Sequence, residues 1–151
     1  MATQYSGGPY VTFNYVSDGT INSMITMMQN QLTSAGWSVV TSVAGNILMK
    51  SGTTPMGLND CFRFKNNSAT SMTVSLQNAS GTLIGGNSTT SGGYICPLVG
   101  QTYRVMATPF WFLIVQIGNF GNRSFVYGGV LYLPPFMSSV YECGMMMCNC
   151  Y

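Results

Sequence analysis

The sequence predicts one α+β domain, mostly β: a single N-terminal helix packed on an antiparallel β-sandwich or strongly curved sheet, with an extended N-terminal arm and a C-terminal tail. Three observations predict it. The chain has 151 residues, which suits one domain able to bury a sizeable core. Apolar residues recur at convincing helical spacing in one segment, close to the N-terminus. From Gly36 onward the pattern becomes short β-prone runs separated by Gly, Asn, Ser and Pro.

The elements follow in order. After the turn signal Ser6-Gly7-Gly8-Pro9, the alternating segment 10–16 reads as a strand or extended arm. Within 17–36, Ile21, Met24, Ile25, Met28 and Leu32 form one helical stripe, opposite the uncharged residues Asn22, Ser23, Thr26, Gln29, Asn30 and Thr33. Asp18 or Thr20 suits the start of this helix and Gly36 its end, with Trp37 anchoring it on the sheet. A β-domain over 37–136 is then expected, with strands near 37–43, 47–50, 61–65, 72–77, 94–97, 103–107, 111–117 and 124–133. Ala44-Gly45-Asn46 and Lys65-Asn66-Asn67 look like hairpin turns. Phe62 and Phe64 share one face, away from Arg63 and Lys65, while Met72, Val74 and Leu76 alternate with Thr73 and Ser75, as half-buried strands do. The Gly- and Ser-rich stretch 81–93 reads as a long loop, and Gly128-Gly129 as a bulge or close backbone approach. Pro134-Pro135 ends strand pairing and sends a Cys- and Met-rich tail, 137–151, away from the sheet.

Charge is the most informative part of the composition. Only 5% of residues are charged, against about 25% in an ordinary soluble protein, while 46% are hydrophobic. A surface made mostly of Ser, Thr, Asn, Gln and Gly suits a protein whose exterior is covered in use. Nine Tyr, eight Phe and two Trp argue against disorder. The longest apolar run, 110–117, is too short to span a bilayer as a helix and contains Gln116. The segment Met1-Ala2-Thr3-Gln4-Tyr5 has neither the basic nor the apolar region of a secretory signal, so assembly in the cytoplasm is expected. Lys50, Arg63, Lys65, Arg104 and Arg123 are scattered along the sequence, unlike the clustered basic footprint of a nucleic-acid binder.

Signs of catalysis are few. The absence of His removes the usual general base and the commonest nitrogen ligand for metals. Of the three acids, Asp18 reads as a helix cap, Asp60 as a turn residue and Glu142 as a solvated tail charge. No phosphate loop is present, since no Lys-Ser or Lys-Thr follows the glycines at 81–86. Cys143, Cys148 and Cys150 lack the paired spacing of a structural zinc site; they suit disulfides between neighbouring subunits, while Cys61 and Cys96 read as small buried hydrophobes. Neither a catalytic site, nor a cofactor, nor a metal is expected. Met24, Met27 and Met28 suit core packing, and Met145, Met146 and Met147 an adaptable plug in a neighbour. Tyr10, Phe13, Tyr15, Met145, Met146, Met147 and Tyr151 are the expected interface residues. Trp111, inside the apolar run, is expected in the core.

The runs Leu32-Thr33-Ser34-Ala35-Gly36-Trp37, Leu48-Met49-Lys50-Ser51-Gly52, Thr102-Tyr103-Arg104-Val105-Met106-Ala107 and Phe125-Val126-Tyr127-Gly128-Gly129-Val130-Leu131-Tyr132-Leu133-Pro134 resemble small tailed-bacteriophage virion proteins over most of 32–134. The resemblance implies an assembly role in a tail, neck or baseplate, or in capsid decoration. The expected partners are then copies of the chain and other virion proteins, with no nucleic acid and no membrane span. A secreted or surface β-sandwich that binds carbohydrate or a receptor is the rival expectation.

Overall fold

The computed structural model describes residues 10–52, 61–68, 71–87, 95, 97–117, 123–130 and 143–150, with 85–87, 123, 124, 130 and 143–150 described through their backbone. In chain order the elements are β1 (Val11–Val16), α1 (Ile21–Ser34), β2 (Ser38–Val43), β3 (Asn46–Lys50), β4 (Cys61–Ser68), β5 (Ser71–Gln77), β6 (Leu83–Asn87), β7 (Thr102–Ala107), β8 (Trp111–Ile117), β9 (Arg123–Val130) and β10 (Cys143–Cys150). Two five-stranded antiparallel sheets result. A central sheet is the meander β2-β3-β4-β5-β6, and a terminal sheet runs β1-β7-β8-β9-β10. The fold is therefore α+β and mostly β, a sandwich with one helix.

The helix lies where its stripe dictates. Ile21, Met24, Ile25, Met28 and Leu32 are buried, joined by Met27, and α1 contacts β1 and β7 of one sheet and β2, β3 and β4 of the other. It is thus wedged between the layers at the β1/β2 side. Its end is a Schellman turn: Gly36 N–H donates to the Thr33 carbonyl and Trp37 N–H to the Leu32 carbonyl at 2.9 Å, with Gly36 at φ 96°. That turn drives Trp37 into the core, where its Nε1–H donates to the Thr108 carbonyl at 2.7 Å. A helix end and the β7–β8 connection are tied by one ring.

Beyond the helix the two sheets meet directly. Phe62 and Phe64 on β4 face Phe112 on β8, with ring centroids 5.2 and 5.3 Å apart, and Trp37 closes the cluster edge-on to Phe112. Edge-to-face packing sets the positive rim of one ring against the negative face of another. Gly128 makes room for it. A Cβ there would sit 2.5 Å from Phe112 and 2.8 Å from Phe62 ring carbons, so this position admits only hydrogen. The pairing of β9 with β8 continues through Gly128 and Gly129 without a register shift, so the glycines mark close approach and not a bulge.

Several elements differ from the sequence expectation. The segment 143–150 is not a free tail: it pairs antiparallel with β9 over its whole length as an edge strand, from Cys143 opposite Val130 to Cys150 opposite Arg123. Its run of three Met flanked by Cys, Gly and Asn hid it from a reading based on β-branched residues. Within the expected loop 81–93, residues 83–87 pair with β5 as β6. Lys65-Asn66-Asn67 is strand, since β4 runs on to Ser68, which pairs with Ser71. Of the strand expected at 94–97, Ile95 makes a single bridge to Met72. Strand β9 ends at Val130 as described, and 131–136, including Pro134-Pro135, lie outside the described residues, as do Ser6-Gly7-Gly8-Pro9, Asp60, Cys96, Glu142 and Tyr151.

Candidate functional site

Asp18, the one acid among the described residues, is occupied locally. Its carboxylate accepts from the Thr20 N–H and hydroxyl and from the Ser23 hydroxyl, all at 2.8 Å, and these hydrogen bonds, led by that from the Thr20 backbone, lower its pKa. Thr20 is the N-cap by position but makes no side-chain capping bond, so Asp18 organises the helix start from two residues earlier. Among the described residues no three of His, Cys, Asp and Glu gather where a metal ion fits. Cys61 is buried. No described helix is long and apolar enough to cross a membrane.

The two outer faces of the sandwich are where the molecule meets its surroundings, and they differ sharply in chemistry. On the terminal sheet, β8 reads Trp-Phe-Leu-Ile-Val-Gln-Ile. Phe112, Ile114 and Gln116 point inward and are buried, leaving Trp111, Leu113, Val115 and Ile117 on the outside. Register extends this apolar row in both directions. Met106 on β7 and Tyr127 on β9 flank Leu113, and Arg104 and Phe125 flank Val115. Met106, Trp111, Leu113, Val115, Phe125 and Tyr127 are all partly buried. Trp111 therefore lies outside the core, correcting the sequence expectation: strand alternation gave the inner positions to Phe110 and Phe112, and the Trp111 ring stacks on Tyr127 with centroids 6.2 Å apart. Met146 and Cys148 occupy the register positions beside Tyr127 and Phe125 on β10.

Among the described residues, both edges on the helix side are also unpaired. Strand β1 (Val-Thr-Phe-Asn-Tyr-Val) and strand β2 (Ser-Val-Val-Thr-Ser-Val) carry neither charge nor proline, and β2 is exposed at every position but Val40. Tyr10 is 57% and Phe13 39% exposed, whereas Tyr15 packs against the core with its hydroxyl buried and unpartnered. Of the expected interface residues, Tyr10 and Phe13 are thus free to make contacts and Tyr15 is largely committed inside. Met145, Met146 and Met147 belong to the edge strand β10.

The central sheet's outer face is polar and cationic around a buried Leu48 and Cys61. Lys50 on β3 and Arg63 and Lys65 on β4 share it with Asn46, Thr73, Ser75 and Gln77. Three cations scattered in the sequence are thereby gathered on one face, which spacing along the chain does not reveal. Arg63 reaches over β5 and β3 at once: Nε donates to Gln77 Oε1 at 2.7 Å and Nη1 to Asn46 Oδ1 at 2.6 Å, while Gln77 Nε2 donates to Ser75 Oγ at 3.0 Å. This cross-strand network keeps Ser75 and Gln77 buried although they face outward.

Comparison with protein-family models, curated proteins and solved structures finds no match. The fold and its outer faces define a helix-wedged antiparallel β-sandwich with one exterior rich in apolar residues and one that gathers three cations.

Proposed function

We propose that this chain is a non-enzymatic structural subunit that packs through the outer face of its terminal sheet against copies of itself or other proteins. The carrying observation is the lost alternation of β8. An antiparallel sheet with one wet face alternates apolar and polar residues, and a strand apolar on both faces belongs in a sheet covered on both sides. Here one cover is the core; the other is supplied by a neighbour. Contiguous outward Met106, Leu113, Val115, Phe125 and Tyr127 are what a monomeric exterior avoids and an interface contains. The unprotected edges β1 and β2 support the same reading, since isolated sheets shield their edges with Lys, Pro or short strands. Low charge makes such contacts comparatively insensitive to salt.

The setting we propose is a tailed-bacteriophage particle, in its tail, neck or baseplate, or as capsid decoration, which is what the resemblance over 32–134 implies. This reading assigns cross-links between subunits to Cys143, Cys148 and Cys150, of which Cys148 and Cys150 take register positions beside Phe125 and Arg123. A second reading, a carbohydrate- or receptor-binding sandwich, draws on the outward Trp111, although stacking on Tyr127 already occupies one face of that ring.

Sedimentation analysis of Leu113→Lys and Val115→Lys tests the assembly reading. The wild-type chain sediments as an oligomer, and either lysine shifts it to monomer while far-UV circular dichroism is retained. A wild-type chain that stays monomeric at high concentration sinks the proposal.

A further inference from the structure

We propose that the cationic outer face of the central sheet is a binding site for an acidic saccharide, independent of the assembly face on the opposite side of the sandwich. An open recess of about 360 Å³ lies there, lined by Asn46, Arg63, Lys65, Thr73, Gln77 and Leu83, with Ser75 and Asn67 completing it. That volume is at the lower end of small-ligand sites and suits one or two sugar rings.

The recess is built, and its unused hydrogen-bonding capacity has a definite sense. Arg63 engages the acceptors at its end: Gln77 Oε1 and Asn46 Oδ1 both receive its protons, and Ser75 Oγ receives one from Gln77. Each of these oxygens keeps one lone pair, but the unused protons outnumber them: those on Arg63 Nη2, the Asn46 amide protons, the second Gln77 amide proton and the Ser75 hydroxyl. Lys65 stands two residues along the same strand, exposed, with its three ammonium protons uncommitted among the described residues. Two cations and a ring of donors facing an open volume call for an anionic acceptor.

The other end of the recess is different. Thr73 Oγ1 donates to the Lys65 carbonyl at 3.3 Å and Asn67 Nδ2 to Ser71 Oγ at 3.5 Å, which leaves the Thr73 oxygen and the Asn67 carbonyl as acceptors. Leu83, half-exposed, pairs with Gln77 and supplies an apolar wall at the Arg63 end. A bare oxyanion uses only the donor end. A carboxylated sugar uses both ends: its carboxylate sits on Arg63 and Lys65 and its ring hydroxyls on Thr73 and Asn67. Gly81, whose Cβ would come 2.9 Å from Arg63 Nη2, keeps the guanidinium in place over the sheet without crowding.

Ligand-observed saturation-transfer NMR on the full chain tests this, because it reads weak binding whatever the size of the assembly. With glucuronate as probe, transfer is expected and saturable, glucose binds at least about tenfold more weakly, and sulfate competes but at least about tenfold less well. Lys65→Gln weakens glucuronate about tenfold with an unchanged melting temperature, since the side chain is exposed. Thr73→Val weakens glucuronate and leaves sulfate competition as it was. Absence of transfer from the wild-type chain overturns the proposal, as does glucose binding equal to glucuronate. Sulfate equal to glucuronate overturns the saccharide assignment.

Discussion

The two exteriors of this sandwich rest on one core and obey one rule of strand alternation, yet they reach opposite chemistry. On the central sheet, β4 and β5 alternate cleanly: Phe62, Phe64, Met72, Val74 and Leu76 go inward, and Arg63, Lys65, Thr73, Ser75 and Gln77 outward. On the terminal sheet, β8 puts Phe112 and Ile114 inward and Leu113 and Val115 outward. The inner faces are interchangeable in character; the outer faces are not. The difference teaches that outward residues in this chain report their environment more directly than core residues do. Apolar burial is demanded of every inner face, whereas an apolar outer face persists only if something covers it.

The most severe way to break the comparison is to remove the ring on which both sheets lean. Phe112→Ala deletes the contacts to Phe62, Phe64 and Trp37 together, and costs about 3–5 kcal/mol by chemical denaturation. Both outer faces are lost with it; a cost below about 1 kcal/mol would mean that the sheets are not held through this cluster.

A milder substitution separates the faces. Gln77→Leu removes the acceptor of Arg63 Nε and the donor to Ser75, leaving a part-buried cation short of one partner. It destabilises by about 1–3 kcal/mol and leaves the sedimentation of the chain as it is in wild type, since the terminal sheet is untouched. A shift in oligomeric state by Gln77→Leu would show that the two exteriors are not independent.

The smallest effect concerns Asp18, which belongs to neither face and calibrates both. Hydrogen bonds from Thr20 and Ser23 favour its charged form, so its folded pKa lies below the ordinary 3.8. Its contribution to stability is fully present above that ordinary value and is lost as the pH falls through the lower folded pKa. Thermal melts of Asp18→Asn and wild type therefore differ slightly near pH 6, and the gap closes as both are taken toward about pH 2. A gap that widens on acidification would reverse the assigned sign.

Much of this architecture was legible in the residues. The helical stripe from Ile21 to Leu32, its stop at Gly36, the anchoring of Trp37 and the inward pairs at 62/64 and 72/74/76 follow from period and turn chemistry, which act within a few residues. What escaped has a common cause. Strand β10 is made of Met, Cys, Gly and Asn, and β6 of a Leu-Ile-Gly-Gly-Asn run; neither has strong intrinsic preference, and each forms because β9 or β5 offers an unpaired ladder beside it. Likewise the apolar run at 110–117 announces burial without saying how many sides are covered, and the run alone places Trp111 inward. The site was less legible than the fold: Lys50, Arg63 and Lys65 meet only because β3 and β4 lie side by side.

By itself, then, the amino-acid order determined a mostly β domain with one amphipathic helix and a nearly uncharged exterior, because hydrophobic period, turn residues and composition are local or additive quantities. Tertiary structure alone decided which strands neighbour which, and with that which of Phe112 and Trp111 enters the core and where the cations gather. Register carries that information, and register is fixed by pairing between segments distant in the chain: one step of slip would exchange every inner residue for an outer one.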